Sequence, residues 1–304
     1  MSSLAAQVAT RILQGVGLWR PYADEQLLRV HIAKLRSQSP THPTPRVRRR
    51  AKVIGDAAAS IVTIAPSGET AARVLYVPGG GYVEPPLKEH WSFIADMVDR
   101  LQAEFTVVRY PLAPEHQAPE TVAFALECYN KLAIRNGAPL FVMGDSSGGG
   151  LALALLQQAA SRGWPMPVGL VMISPWLDCT LSASGQAEIE PRDVMLRRAG
   201  LLAAARWYAG PLDLADPLVS PLNGPLDVLP PTLLFGAGSD LLVTDARAFA
   251  AKARQVGLAL EFHEEPGLFH TWPLVPLPFP ERRRAKQIIE RFVCCDSRRG
   301  GTGR

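Results

Sequence analysis

Between residues 60 and 265 the chain repeats an alternation that few folds accommodate. Short apolar runs of β type occur at "SIVTIAP" (60–66), "ARVLYV" (72–77), "FTVVRY" (105–110), "LFVMG" (140–144), "GLVMIS" (169–174), "TLLFGAG" (232–238) and "LEFHEE" (260–265). Helical patterns at 88–103, 118–135, 149–162, 193–208, 244–256 and 281–293 lie between and after them. Several of the runs are apolar throughout, as strands buried on both faces are. Strand–helix alternation of this kind implies right-handed crossovers and an α/β fold, with a mainly parallel sheet flanked by helices. The first two runs follow each other without a helix, which predicts an antiparallel start to the sheet. No internal repeat is visible.

The N-terminal part is organised differently. Residues 1–36 read as two helices separated by "LWRPYADEQ", and "SQSPTHPTPRVRRR" (37–50) is Pro-rich, polar and basic, as a linker is. The opening "MSSLAAQVATRILQGVGLWR" is broken by Arg11 and lacks a basic n-region and an A-x-A site. It reads as an amphipathic helix rather than a signal peptide. No apolar run approaches the roughly 20 residues of a membrane span, so stable membrane insertion is not expected. Cys128, Cys179, Cys294 and Cys295 form no C-x-x-C pair, which suggests neither a metal site nor a disulfide framework. A reduced, cytoplasmic protein is the expectation. The net charge of +4 is local, carried by "RVRRR" (46–50), "ERRR" (281–284) and "RR" (298–299). Without aromatic interleaving, zinc spacing or a recognition-helix pattern, these runs read as a solvated linker and helix face, not a nucleic-acid site.

The stretch richest in chemistry is "LFVMGDSSGGGLALALL", in which Gly144-Asp145-Ser146-Ser147-Gly148 is a G-x-S-x-G between an apolar strand and a helical run. That context is what a nucleophile elbow requires, a sharp strand-to-helix turn presenting Ser146. The following helix N-terminus places amide donors and a positive dipole end beside it. A phosphate loop is disfavoured because no Gly-Lys-Ser/Thr follows. A nucleophilic serine needs a base and the base an orienting acid, in the chain order Ser, Asp or Glu, His. "LLFGAGSDLLVTDARAFA" sets Asp240 just past a strand end, and "LEFHEEPGLFHTW" sets His270 a few residues past the last strand. Asp245 competes with Asp240 but reads as the start of a helix. His263 lies inside a strand, and His31, His42, His90 and His116 fall outside the expected order.

With these residues in view, the chain resembles the hormone-sensitive-lipase-like branch of the α/β-hydrolases, a family of bacterial carboxylesterases. "RYPLAPEHQAPE" (109–120) is similar to that branch's Y-R-L-A-P-E-H signature, with Pro111 where Arg is usual. "SPWLDCT" (174–180), "DPLVSPL" (216–222) and "GLFHTWPL" (267–274) resemble further family stretches. The resemblance spans roughly residues 60 to 295. It implies a serine esterase for short- to medium-chain carboxylic esters, with Ser146, Asp240 and His270 as its triad. It also implies an N-terminal helical cap, here residues 1–50 with the linker, over a catalytic domain at 51–304, with 186–212 as a candidate further cap helix. The partner is a small-molecule ester; no metal or organic cofactor is implied, and monomer and homodimer both stay open.

The same branch carries a His-Gly-Gly-Gly loop, matched here by Pro78-Gly79-Gly80-Gly81. By the resemblance, the amides of Gly80, Gly81 and Ser147 form an oxyanion hole. Pro78 departs from the pattern. It cannot make the side-chain hydrogen bonds by which the family's histidine is thought to steady the loop, although its ring fixes its own φ and holds Val77 extended. Three rival readings remain: amide or lactone hydrolysis on the same groups, a non-catalytic receptor on a hydrolase scaffold, and nucleic-acid binding through the arginines.

Overall fold

A computed structural model describes residues 2–38, 51–55 and 60–296. Helix α1 (Leu4–Val16) starts where the Ser3 hydroxyl accepts the Ala6 N–H and ends at left-handed Gly17. Helix α2 (Glu25–Ser37) starts at Asp24, whose carboxylate accepts the Leu27 N–H. Side-chain caps of this kind satisfy donors that a helix N-terminus leaves unpaired. A 3-10 turn at Arg20–Tyr22 joins the two helices.

Eight strands follow: β1 (Ala51–Gly55), β2 (Ser60–Ile64), β3 (Ala72–Val77), β4 (Ala103–Arg109), β5 (Leu140–Asp145), β6 (Gly169–Ile173), β7 (Thr232–Ala237) and β8 (Leu260–Glu265). They form one sheet in the order β1-β2-β4-β3-β5-β6-β7-β8. The β1/β2 and β2/β4 pairs are antiparallel and the remainder parallel. The antiparallel start is present, but β2 pairs with β4 and not with β3, its neighbour in sequence. The run "AKVIG" was not among the expected strands; it is β1, the edge strand, and it lies at the expected boundary between linker and catalytic domain.

The connecting helices are α3 (Lys88–Leu101), α4 (Ala118–Ala133), α5 (Ser147–Ser161), α6 (Gln186–Ile189), α7 (Arg198–Ala209), α8 (Val243–Gln255) and α9 (Pro280–Asp296). They cover the sheet on both sides, and β3, β5, β6 and β7 are buried at every residue. The two-residue period of a strand divides them between two cores. Leu75 and Val77 face the core shared with α2, α4, α5, α7 and α8. Val74 and Tyr76 face the core shared with α1, α3 and α9. The N-terminal arm therefore has one helix in each core, and its 3-10 turn makes the passage between them. At the far edge β8 is only half buried. Its glutamates Glu264 and Glu265 pair with Arg247 and Arg284, polar cover that discourages edge-to-edge association.

Packing is tight where α5 meets β3. A Cβ on Gly148 would stand 2.1 Å from the Val77 carbonyl oxygen and 2.6 Å from the Pro78 carbonyl, both backbone atoms that cannot swing aside. Gly15 in α1 has nothing within 4 Å of the equivalent position. Gly148→Ala should therefore lower unfolding free energy by about 1–3 kcal/mol or more through overpacking. Gly15→Ala should raise it by up to about 1 kcal/mol through helix propensity. Urea denaturation of the two variants measures both, and equal effects would contradict the packing.

Candidate active site

Strand β5 ends at Asp145 and α5 begins at Ser147, so Ser146 alone makes the turn. It does so at φ 51 and ψ −128, outside the comfortable regions for a residue with a side chain. The surroundings hold it there. Its N–H donates to the Ile173 carbonyl at 2.9 Å, and its carbonyl accepts from the N–H groups of Gly149 at 3.0 Å and Trp176 at 2.9 Å. Below the turn, the Asp145 carboxylate accepts from the Tyr76 hydroxyl at 2.5 Å and pairs with His90 Nε2 at 3.2 Å. His90 Nδ1 accepts the Leu87 N–H at 2.9 Å, so the Nε2 atom carries the proton donated to Asp145. Burial alone would raise the Asp145 pKa, but His90, Tyr76 and the Gly79 amide outweigh it and hold the carboxyl below its usual range.

Two loops at the same sheet edge bring the other groups. Asp240 follows β7 and His270 follows β8. The His270 ring joins Asp240 Oδ2 through Nδ1 at 2.9 Å and the Ser146 hydroxyl through Nε2 at 2.9 Å. All three side chains are buried. The Ser239 N–H donates to the Leu268 carbonyl at 3.0 Å and joins the two loops, and the Thr271 N–H donates to the Ser174 hydroxyl at 3.1 Å and ties the His270 loop to the end of β6. Burial pushes the His270 pKa down, but the Asp240 carboxylate, with Asp193 and Asp145 behind it, prevails and holds the imidazole above its ordinary value. A serine hydroxyl bonded to an imidazole that a carboxylate orients can lose its proton as it attacks an electrophile.

The competing residues lie elsewhere. Asp245 sits in the first turn of α8, where its carboxylate accepts from the Leu177 and Asp178 N–H groups at 2.8 and 2.9 Å. Burial pushes its pKa up to about 7. His263 stacks on Phe235 and meets Glu261 at 2.7 Å, and His116 meets Glu120 at 2.8 Å. His42 lies outside the described residues. One residue that the sequence did not signal is Asp193, in the loop before α7. It is 2% exposed, and its Oδ2 accepts the Leu241 N–H at 2.7 Å, next to Asp240 in the chain. The expected helix over 193–208 begins at Arg198 instead, because the Asp193 Oδ1 atom accepts the N–H groups of Met195 at 2.8 Å and Leu196 at 2.9 Å and folds a turn there.

The glycine loop runs past the elbow. Gly80 and Gly81 have φ 133 and 59, and a Cβ on Gly80 would stand 2.6 Å from the Glu84 carbonyl oxygen. The N–H groups of these two glycines donate to no group among the described residues. The loop is held by its neighbours. The Tyr110 hydroxyl donates to the Pro78 carbonyl at 2.8 Å, the Tyr82 N–H to the Ser147 hydroxyl at 3.3 Å, and the Ala113 N–H to the Tyr82 carbonyl at 2.9 Å. The Gly80 carbonyl accepts from Val83 and Glu84 at 3.0 and 2.8 Å. Tyr82 stacks on Tyr208 of α7 with ring centroids 3.7 Å apart. The N-terminal arm is fastened to the same loop: the Tyr22 hydroxyl donates to Glu84 at 2.8 Å, His31 approaches Glu84 at 3.2 Å, and Arg36 donates to the Val83 carbonyl at 2.9 Å.

This geometry makes a prediction that needs no substrate. A fluorophosphonate should modify Ser146 and leave Ser147 untouched. The labelling rate should rise with pH as His270 loses its proton, with its midpoint above the roughly 6.5 of a free imidazole, since the shift is upward. Peptide mapping across a pH series measures both. Modification at Ser147, or a midpoint below 6.5, would contradict the arrangement.

Comparison with known proteins agrees with the fold. A sequence profile for the alpha/beta hydrolase fold matches residues 74–274. An esterase of Acinetobacter venetianus is 31% identical over 259 residues, 84% of each chain. An acetyl-hydrolase of Streptomyces hygroscopicus is 32% identical over 233 residues, 76% of this chain and 78% of that protein. Among solved structures, an esterase/lipase from an uncultured bacterium superposes with a TM-score of 0.84 at 26% identity, covering 97% of this chain and 99% of the other. The chain belongs to the α/β-hydrolase fold family, and its loop motifs resemble the hormone-sensitive-lipase-like branch.

Proposed function

We propose that the protein hydrolyses carboxylic esters of small molecules through an acyl-enzyme, with Ser146 as nucleophile, His270 as general base and acid, and Asp240 as the group that orients the imidazole. The observation that carries this reading is the unbroken relay from Asp240 through His270 to Ser146, with both links at 2.9 Å. As Ser146 Oγ attacks the ester carbonyl, its proton passes to His270 Nε2 and the carbonyl oxygen becomes an oxyanion. The amides of Gly80, Gly81 and Ser147 are the donors we assign to it. Collapse of the adduct breaks the ester C–O bond, and the imidazolium returns its proton to the departing alcohol. A water then repeats the sequence against the acyl-enzyme and releases the acid.

The relatives described as an esterase and an acetyl-hydrolase support ester hydrolysis. Amide and lactone cleavage on the same groups remains the alternative to test, whereas retention of the whole relay disfavours a receptor. We read residues 1–50 as a cap over the acyl pocket, with 186–212 as a second element and 51–304 as the catalytic domain. The passage of the arm over the sheet edge supports this, and short to medium acyl chains are the preference we assign. A cytoplasmic location and a homodimer belong to the same proposal; among the described residues no helix is long and apolar enough to cross a membrane. Pro78 takes the place of the family's histidine without loss of the loop, because Tyr110 and Ser147 hold the backbone.

A panel of chromogenic esters of rising acyl length, assayed beside amides and lactones, tests the reading. Ser146→Ala should lose on the order of 10⁶ in kcat while staying folded. Asp240→Asn should lose about 10⁴ by favouring the wrong tautomer, and Asp245→Asn should stay within a few-fold of wild type because that carboxylate meets only α8 and the Leu177 turn. The reverse order for the two aspartates would reassign the acid. A separate pair tests the loop. Pro78→His should change kcat/KM by less than about tenfold, under about 1.4 kcal/mol, whereas Gly80→Ala should lower kcat by about 10²–10³ by displacing a donor. If Pro78→His instead raised a barely detectable activity more than a hundredfold, the natural loop would be poorly set for esters.

A further inference from the structure

We propose that Asp193 is a positioning residue for the triad: its carboxylate holds the backbone beside Asp240, and its negative charge backs the Asp240–His270 pair from the far side. This rests on the serine-hydrolase reading of the site and extends it to a residue outside the triad, on an element between β6 and β7 that contributes no reacting atom.

The geometry is specific. Asp193 has one oxygen on the Leu241 N–H at 2.7 Å and the other on the N–H groups of Met195 and Leu196 at 2.8 and 2.9 Å. Three backbone donors converge on a carboxylate that is 2% exposed, an arrangement that favours the ionised form against the penalty of burial. Asp240 in turn accepts the Leu242 N–H at 2.9 Å through the oxygen that does not face His270. Consecutive amides, Leu241 and Leu242, are thus taken by Asp193 and Asp240, and this pins the turn from which Asp240 reaches the imidazole. A small displacement of such a group is enough to slow a reaction.

The charges around the pair are few. His270 is faced by Asp240, Asp193 and Asp145, each of which raises its pKa. Asp193 is faced by Asp240 and His270, and the Arg197 guanidinium donates to its carbonyl oxygen at 2.7 Å. Burial first, and then the Asp240 charge, push the Asp193 carboxyl up to about 6. As an anion, the form its three backbone donors favour, Asp193 stabilises the imidazolium. Removing it must lower the pH at which His270 gives up its proton.

The experiment compares D193N, D193S and D193E with wild type, following kcat/KM for a chromogenic acetate ester from pH 5 to 9. D193N and D193S should lower the plateau by about ten- to a hundredfold and move the acid limb to lower pH; D193E, which keeps the charge, should leave the limb in place. The far-downfield resonance of the proton between His270 and Asp240 reads the same titration by NMR without turnover. A plateau within twofold of wild type would overturn the proposal. So would a lowered plateau with an unmoved limb, since that marks a merely structural residue, and so would failure of both neutral variants to fold. Activity in wild type and its loss in S146A secure the hydrolase reading independently of any outcome at Asp193.

Discussion

Everything at the site depends on the one-residue turn at Ser146. A strand must end and a helix begin within a single residue, and that residue carries a side chain at positive φ. Such a conformation persists only where the surroundings over-determine it. Here β6 and the Trp176 loop fix its backbone through one hydrogen bond each and the Gly149 N–H of α5 adds another, and Gly148 lets α5 close on β3 at a distance no side chain permits. The buried Tyr76–Asp145–His90 network then supports the turn from the opposite side. The strain is sustained by the two cores that meet at this sheet.

Parallel strands supply the second requirement, because they all end at one edge. β3, β5, β7 and β8 deliver the glycine loop, Ser146, Asp240 and His270 to neighbouring positions, as open parallel sheets do for their ligand sites. The N-terminal arm crosses that edge from one core to the other. Tyr22, His31 and Arg36 bind it to Glu84 and Val83, directly behind the three glycines. The arm and the loop of three glycines are therefore fastened to each other through Glu84 and Val83.

Electrostatics at the site follow from burial answered by backbone donors. Asp145, Asp193, Asp240 and Asp245 are all fully enclosed, yet each receives hydrogen bonds from N–H or side-chain donors. The charges of three of them, Asp240 foremost, hold the His270 imidazole above its ordinary value against its burial. Asp245 serves a different end, joining α8 to the loop after β6.

Much of this was legible in the linear chain. Continuous apolar runs declare strands buried on both faces, and a G-x-S-x-G between a strand and a helix declares the elbow, because both signals are local. Asp240 and His270 could be chosen by order and by their place after strand ends. Other features needed the folded chain. β2 pairs with β4, not β3, since pairing is decided by how the sheet closes and not by adjacency. β1 carries too short an apolar run to announce itself. The steadying of the glycine loop comes from Tyr110, which donates to the Pro78 carbonyl across 32 residues, and from Ser147, which accepts the Tyr82 N–H across 65. Asp193 has no motif; it is defined by a hydrogen bond to Leu241 across 48 residues. Sequence determines what periodicity and local conformational preference can encode, whereas a buried polar group finds its partner only in three dimensions, and that partnership is what tertiary structure decided here.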